Sequence, residues 1–413
     1  MRTQFFLISL VCAGALAAAV PQVSDVTIAQ DKASRLVTVT YQLDADAVVT
    51  VDFTTNGVSI GAANFQNAAG DVNAQVAAGT GTITWRPDKS WPDHVIREAV
   101  VGATVRAWPL NAPPTFLVAD VSTGAVNYYV DEDALPGGVQ DERYKTTHLL
   151  LRRVEAAGRT YSMGIPAQYA GDYAARSPFH RVSLTNDFYL GVYETTQRQW
   201  ELVKGNRPSE CNNSSCYQMR PVEKVSFNDI RGASAGQQWP ANDDVDANSF
   251  LGVLRGRTNV RFDLPTSAQW EYACKAGTVT VLYTDTNVVD AATLNPISRN
   301  KNNGGSSWPS GGGSSETAGT AAVGAYQPNS WGFYDMIGNV YEWCLDRIDS
   351  SAVPDVSTEL DPLGSATATY RAKRGGSAEG DPPQNFLNAG YHGANTPDTT
   401  HRSIGFRVAL RLR

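Results

Sequence analysis

Positive charge is the first thing this chain lacks. Lys and Arg number 34 against 41 Asp and Glu, a formal net charge of −7 over 413 residues, so no global field gathers nucleic acid or anionic lipid. Nucleic acid is not an expected partner. Cysteine is scarce: there are five, one of them Cys12 near the N-terminus, too few for a disulfide-built scaffold. Beyond residue 19 no stretch approaches the roughly 18 apolar residues of a membrane helix, so no transmembrane segment is expected. The glycine-rich run that includes Gly304, Gly305 and Gly311 lacks a Gly-Lys-Ser/Thr ending and a preceding apolar strand, which reads as a surface loop rather than a phosphate cradle. No internal repeat of fixed period occurs. What is present, 42% hydrophobic and 9% aromatic residues, describes a globular chain able to bury substantial cores.

Residues 1–19 read MRTQFFLISLVCAGALAAA, with Arg2 ahead of an apolar run that ends in Ala17, Ala18 and Ala19. This is the pattern of a cleaved secretory signal, too short and wrongly flanked for a spanning helix. No lipobox residues precede Cys12. The expected location is outside the cytoplasm: secreted, periplasmic or at the cell surface.

Residues 20–108 alternate apolar and polar side chains, as in Val37, Val39, Tyr41 and Leu43, then Val49, Val51 and Phe53. Period two with β-branched residues predicts half-buried strands, and Asn56-Gly57 predicts a hairpin. An all-β sandwich of immunoglobulin or fibronectin type follows. The prolines of residues 109–115 mark a linker, here taken to extend over 109–120, and residues 121–413 form a second domain. Within it Thr196 and Gln199, and Thr266 and Gln269, have capping-box spacing, with Gly277 as a left-handed stop; Ser226 before Asp229 is a weaker helix start.

Oxygen donors gather at 335–342. Asp335, the carbonyls near Gly338 and Val340, and Glu342 could fold onto one hard cation such as calcium, which takes several oxygens at about 2.3–2.6 Å. The plainer alternative is a cap and a solvated carboxylate. Cys211 and Cys216 lie in a polar loop, where a short disulfide, free thiols and half of a metal site are all chemically open. Ser377, in GGSAEG, lacks the nucleophile-elbow pattern of a hydrolase.

An ordered series of stretches carries a resemblance: YSMG at 161–164, FYLGVYETTQRQW at 188–200, RPVEKVSFND at 220–229, LPTSAQWEYACKAGT at 264–278, GFYDMIGNVYEW at 332–343, KRGGS at 373–377 and NTPDTTHRSIGFRVAL at 395–410. Together they resemble the formylglycine-generating, sulfatase-modifying factor family. The resemblance implies an α+β, C-type-lectin-like fold with little regular secondary structure, and it implies calcium at Asp335, Gly338, Val340 and Glu342. A second family calcium site, beginning near Asn295, does not carry over because the sequence diverges. Catalytic members oxidise a sulfatase cysteine using O₂ and copper(I) held by two cysteines just past the GGS turn, since soft thiolates select Cu(I). Here no cysteine occurs between Cys344 and Arg413, so copper is not expected. The family's CRSAYR-like segment reads Leu387-Asn388-Ala389-Gly390-Tyr391-His392, which removes the usual partner of Cys274 and leaves a Cys274–Cys344 bridge as an alternative. Iron is not expected either, because the single histidines His94, His148, His180, His392 and His401 form no His-x₃-His-x-Glu cluster. His392 and His401, which flank the family's groove, are expected to be solvated, with ligand contact as the alternative. The reading is an exported binding or interaction module for a protein, peptide or glycan. Its alternative is a formylglycine-generating oxidoreductase, or a related family enzyme, with a non-standard site.

Overall fold

The computed structural model describes residues 20–93, 101–170, 178–212, 217–305, 318–349, 360–380 and 386–412. The signal-like leader, His94, Cys216 and most of the glycine-rich run lie outside these residues.

Alternation in the first region becomes two antiparallel sheets. One orders Val23–Gln30, Val37–Leu43, Gly79–Trp85 and Ala69–Gly70; the other centres on Ala47–Thr55, which pairs with Val58–Ser59, Ala74–Val76 and Val101–Trp108. Val39, Val49, Phe53 and Ile83 face inward and are fully buried, with the Phe53 and Trp85 rings 4.5 Å apart. Asn56 and Gly57 both adopt left-handed backbone, as a two-residue hairpin of matching twist requires. The expected sandwich is present.

Val48 faces the other way and joins Leu117, Tyr128 and Trp343 in the main core of the second unit. The intervening segment is exposed at Leu110 and Asn111 but not beyond them. Pro113 and Pro114 are buried, the Tyr189 hydroxyl donates to the Pro114 carbonyl, and the Arg153 amide donates to Thr115 at 2.7 Å. Phe116–Asp120, placed in the linker by its neighbouring prolines, is instead a strand paired on both sides. Its burial, near total from Phe116 to Ala119, explains why: a continuous apolar run belongs to an inner strand.

The second unit contains a five-stranded antiparallel sheet, ordered Val126–Tyr129, Phe116–Asp120, His148–Val154, Phe188–Gly191 and Ala409–Arg411, and a four-stranded sheet ordered Gly393–Asn395, Tyr370–Arg374, Tyr341–Ile348 and Ile404–Gly405. Short helices lie between. Gln197–Lys204, Phe227–Arg231 and Ser267–Lys275 each begin with a complete capping box on Thr196, Ser226 and Thr266. Asp229 serves Ser226 as fully as Gln269 serves Thr266, so the acid is an adequate third-position partner. Ser267–Lys275 stops one residue before the glycine, with Ala276 itself left-handed at φ 46°. No helix among the described residues is long and apolar enough to cross a membrane.

Because Val48 is shared, the two units should melt together. Val48→Ala should lower stability by about 2 kcal/mol and move one calorimetric transition without splitting it; two separable transitions in the unaltered protein would show independent units. Limited proteolysis should spare residues 109–115 until global unfolding.

Candidate functional site

Three carboxylates and one guanidinium meet under the 335–342 turn. The strand Phe188–Gly191 runs into Glu194, two residues before the capping box at Thr196. Its carboxylate accepts from the Asn339 side-chain amide at 2.6 Å and from the Val340 amide at 3.1 Å. Asp335 accepts from the Gly324 amide at 2.7 Å through Oδ2, while its buried Oδ1 has no hydrogen-bond partner. Asp335, Gly338 and Asn339 all have positive φ. A Cβ on Gly338 would stand 2.4 Å from the Arg299 carbonyl, so only glycine fits that corner. The turn is tied to the GGS segment by Gly338 N to Gly375 O at 2.8 Å and Ala378 N to Asn339 O at 2.7 Å.

Glu342 does something other than the sequence suggested. Arg407 Nε and Nη2 each reach it at 2.6 Å, and Trp270 Nε1 donates to it at 2.6 Å. Its two oxygens are committed to those donors, which leaves Asp335 and Glu194 as the carboxylates facing the turn. Burial, with Asp335 and Glu342 nearby, holds the Glu194 carboxyl well above the usual carboxylate range. Burial likewise pushes Asp335 up to about 6, against the Gly324 amide and Arg407, which favour its charged form. A hard cation would relieve this crowding of negative charge, and the orphaned Asp335 oxygen fits one. No group of three or more His, Cys, Asp or Glu side chains among the described residues is arranged to hold a metal, so an ion here would draw on Asp335, Glu194 and main-chain carbonyls such as those of Gly338 and Val340. The sequence signal for Glu194 is an acid closing the apolar run 188–193 in FYLGVYETTQRQW, where a buried charge needs a partner.

The cysteines lie elsewhere. Cys274 and Cys344 are free and wholly buried, and burial pushes both thiols up. The Cys274–Cys344 bridge is absent, and Cys211 is a buried free thiol whose expected partner, Cys216, lies outside the described residues. His392 is buried rather than solvated and shares a 2.7 Å hydrogen bond with Ser267. Below it Glu271 accepts from Arg374 at 2.6 Å and pairs with Lys275 at 2.8 Å. Burial alone would raise the Glu271 carboxyl, but Lys275 and Arg374 more than reverse that, to about 2.

Past the GGS turn the charges come to the surface. Arg402 bridges Glu379 at 2.8 Å and Glu210 at 3.4 Å, and half-exposed His401 lies 3.9 Å from Glu379. The Lys373 ammonium sits 4.1 Å above the Tyr341 ring. Beneath this face Glu223 accepts from the Glu210 and Cys211 amides at 2.6 and 2.9 Å.

An α+β unit of low regular structure, closed by buried ion pairs around an oxygen-rich turn, defines the class. The model of the sulfatase-modifying factor enzyme 1-like domain matches residues 151–412, and the chain belongs to that family. It is 35% identical over 151 residues to the formylglycine-generating enzyme of Thermomonospora curvata, covering 35% of this chain and 48% of that enzyme. It is 31% identical over 323 residues to the formylglycine-generating enzyme of Bos taurus, covering 70% and 82%. A relative named chaperone protein LppX, from Paenibacillus barcinonensis, is 30% identical over 190 residues, covering 41% and 66%. The chain thus spans about half the length of the Thermomonospora curvata enzyme.

Glu223 yields a pH prediction. Burial pushes its carboxyl up from 4.5 to about 8, so the folded protein keeps a proton that the unfolded chain releases. Its contribution is greatest below about pH 4.5 and is lost as pH rises to about 8, by at most about 1.4 kcal/mol per pH unit. Glu223→Gln preserves an acceptor and should flatten that part of the profile, read as urea midpoints across the window. An unchanged slope would remove Glu223 as its source.

Proposed function

We infer that this protein is an exported member of the sulfatase-modifying factor family that works as a binding or interaction module rather than as a copper oxidase. The observation that carries the reading is the placement of the thiols. Copper(I) needs soft thiolates beside an open position, yet no cysteine follows Cys344, and Cys274 and Cys344 are enclosed thiols whose burial opposes ionisation. The leader pattern of residues 1–19 supports export. A relative bearing the name of a chaperone supports a use of this domain other than cysteine oxidation.

The binding face in this reading is the charged surface of Glu379, Arg402, Glu210, His401 and Lys373, next to the GGS segment that Gly338 and Asn339 tie to the 335–342 turn. Its ligand class is a protein, peptide or glycan. Calcium has a structural part: the ion crosslinks the turn through Asp335, with Glu194 added to the ligand set and Glu342 reassigned to Arg407. Arg407 holds Glu342 in position, and the Asn339 amide orients Glu194 toward the turn.

Two measurements test this. The purified protein should neither bind Cu(I) stoichiometrically nor oxidise the cysteine of a sulfatase peptide; doing both would establish the rival formylglycine-generating oxidoreductase. Calcium at about 100 times its dissociation constant should stabilise the protein by about 2.7 kcal/mol relative to chelator, a melting shift of a few degrees. The shift should shrink in Asp335→Asn and in Glu194→Gln. Identical melting of the unaltered protein in both buffers would remove the ion.

A further inference from the structure

A cleft of about 390 Å³ opens at the seam between the sandwich and the second unit, away from the carboxylate turn. Its floor is the outward face of the pair Ala47–Thr55 and Val101–Trp108, where Thr50 stands opposite Arg106 and Asp52 opposite Thr104. Such a face is ordinarily left to water. Here residues 129–136 rise beside it, and the walls are fixed: the Tyr128 amide donates to Asn73 at 2.8 Å, and Val48 is sunk in the second core.

The lining has used only part of its hydrogen-bonding capacity. One Asp52 oxygen accepts from Ser59 at 2.7 Å, Thr50 accepts from Trp108 at 2.9 Å, and one Asp131 oxygen accepts from the Ala134 amide at 2.9 Å. The Arg106 guanidinium, the Thr104 and Tyr129 hydroxyls and the Asp133 carboxylate make no hydrogen bond with any described residue. Unspent donors and acceptors converging on a preformed concavity are the general mark of a ligand site.

Charge narrows the ligand class. Asp52, Asp131 and Asp133 outnumber Arg106, so phosphate, sulfate and carboxylate ligands are repelled. The carboxylates are not grouped to hold a metal, and an organic cation would meet the guanidinium. A neutral molecule dense in hydroxyl groups satisfies all of them, because each O–H both donates to a carboxylate and accepts from Arg106, Thr104 or Tyr129. The apolar face of a sugar ring would cover Tyr129 or Phe65. We propose that this seam cleft binds one or two neutral sugar residues of a glycan. The inference does not depend on the thiol argument and concerns a different surface.

The test is calorimetric titration of the full chain with neutral tetrasaccharides of glucose, mannose and N-acetylglucosamine. At least one should bind at a single site per chain. Arg106→Met and Tyr129→Phe should each weaken it about 5- to 10-fold, the loss of one or two hydrogen bonds, with the melting midpoint unchanged. Asp244→Asn, at an exposed side chain outside the cleft lining, should leave the affinity as it was. Failure of all three sugars to bind, or binding indifferent to both cleft variants, would overturn the proposal. Binding weakened by Glu379→Gln alone would also overturn it, by moving the sugar to the charged face.

Discussion

The guanidinium of Arg407, wholly buried, donates to both oxygens of Glu342 and to the carbonyls of Gly191, Val192 and Tyr334. One side chain therefore fastens the end of the inner strand Phe188–Gly191, the start of the 335–342 turn and the strand Tyr341–Ile348 to the returning C-terminal segment. Burying such a pair is costly in desolvation, and it is tolerated when the geometry is close and the remaining donors are satisfied. Both conditions hold here. The pair also determines the chemistry above it: with Glu342 engaged, the oxygens left for a cation are those of Asp335, Glu194 and the turn's own backbone.

The same device recurs through the second unit. Arg374 joins Glu271 to the Ser267 hydroxyl and to the carbonyl of Tyr391, and Arg231 pairs with Asp263, which Arg255 also reaches. Irregular backbone has no neighbouring strand to take up its carbonyls, and a buried carbonyl left without a donor is expensive. Arginine offers five N–H donors in a rigid fork and stays charged. Its abundance among the fully buried side chains is the price of a core built largely from loops.

The sandwich is coupled to this core by apolar contact rather than suspended from a tether. Val48, paired in its own sheet, turns its side chain into the neighbouring core, and Trp108, opposite it on the paired strand, packs against that core while its indole donates to Thr50. A seam of this kind brings both units to one cleft, which residues of each line. The first unit thus contributes walls as well as length.

The sequence by itself determined everything that depends on near neighbours. Alternation gave the sandwich strands, Thr196, Ser226 and Thr266 gave the helix starts, and the order of motifs gave the family, because these signals act within a few residues or survive as unbroken strings. It also determined the want of cysteine past Cys344, from which the functional reading departs. Tertiary structure alone decided which charges meet. Glu342 and Arg407 are separated by 65 positions, and Glu194 and Asn339 by 145, so no local pattern marks either pair. Phe116–Asp120 lay within reach of the linker prolines in sequence, but it is a strand because its partners at Val126–Tyr129 and His148–Val154 bury it. Buried charge is a property of the assembled core, since a carboxylate's environment is made by whichever donors the fold brings to it.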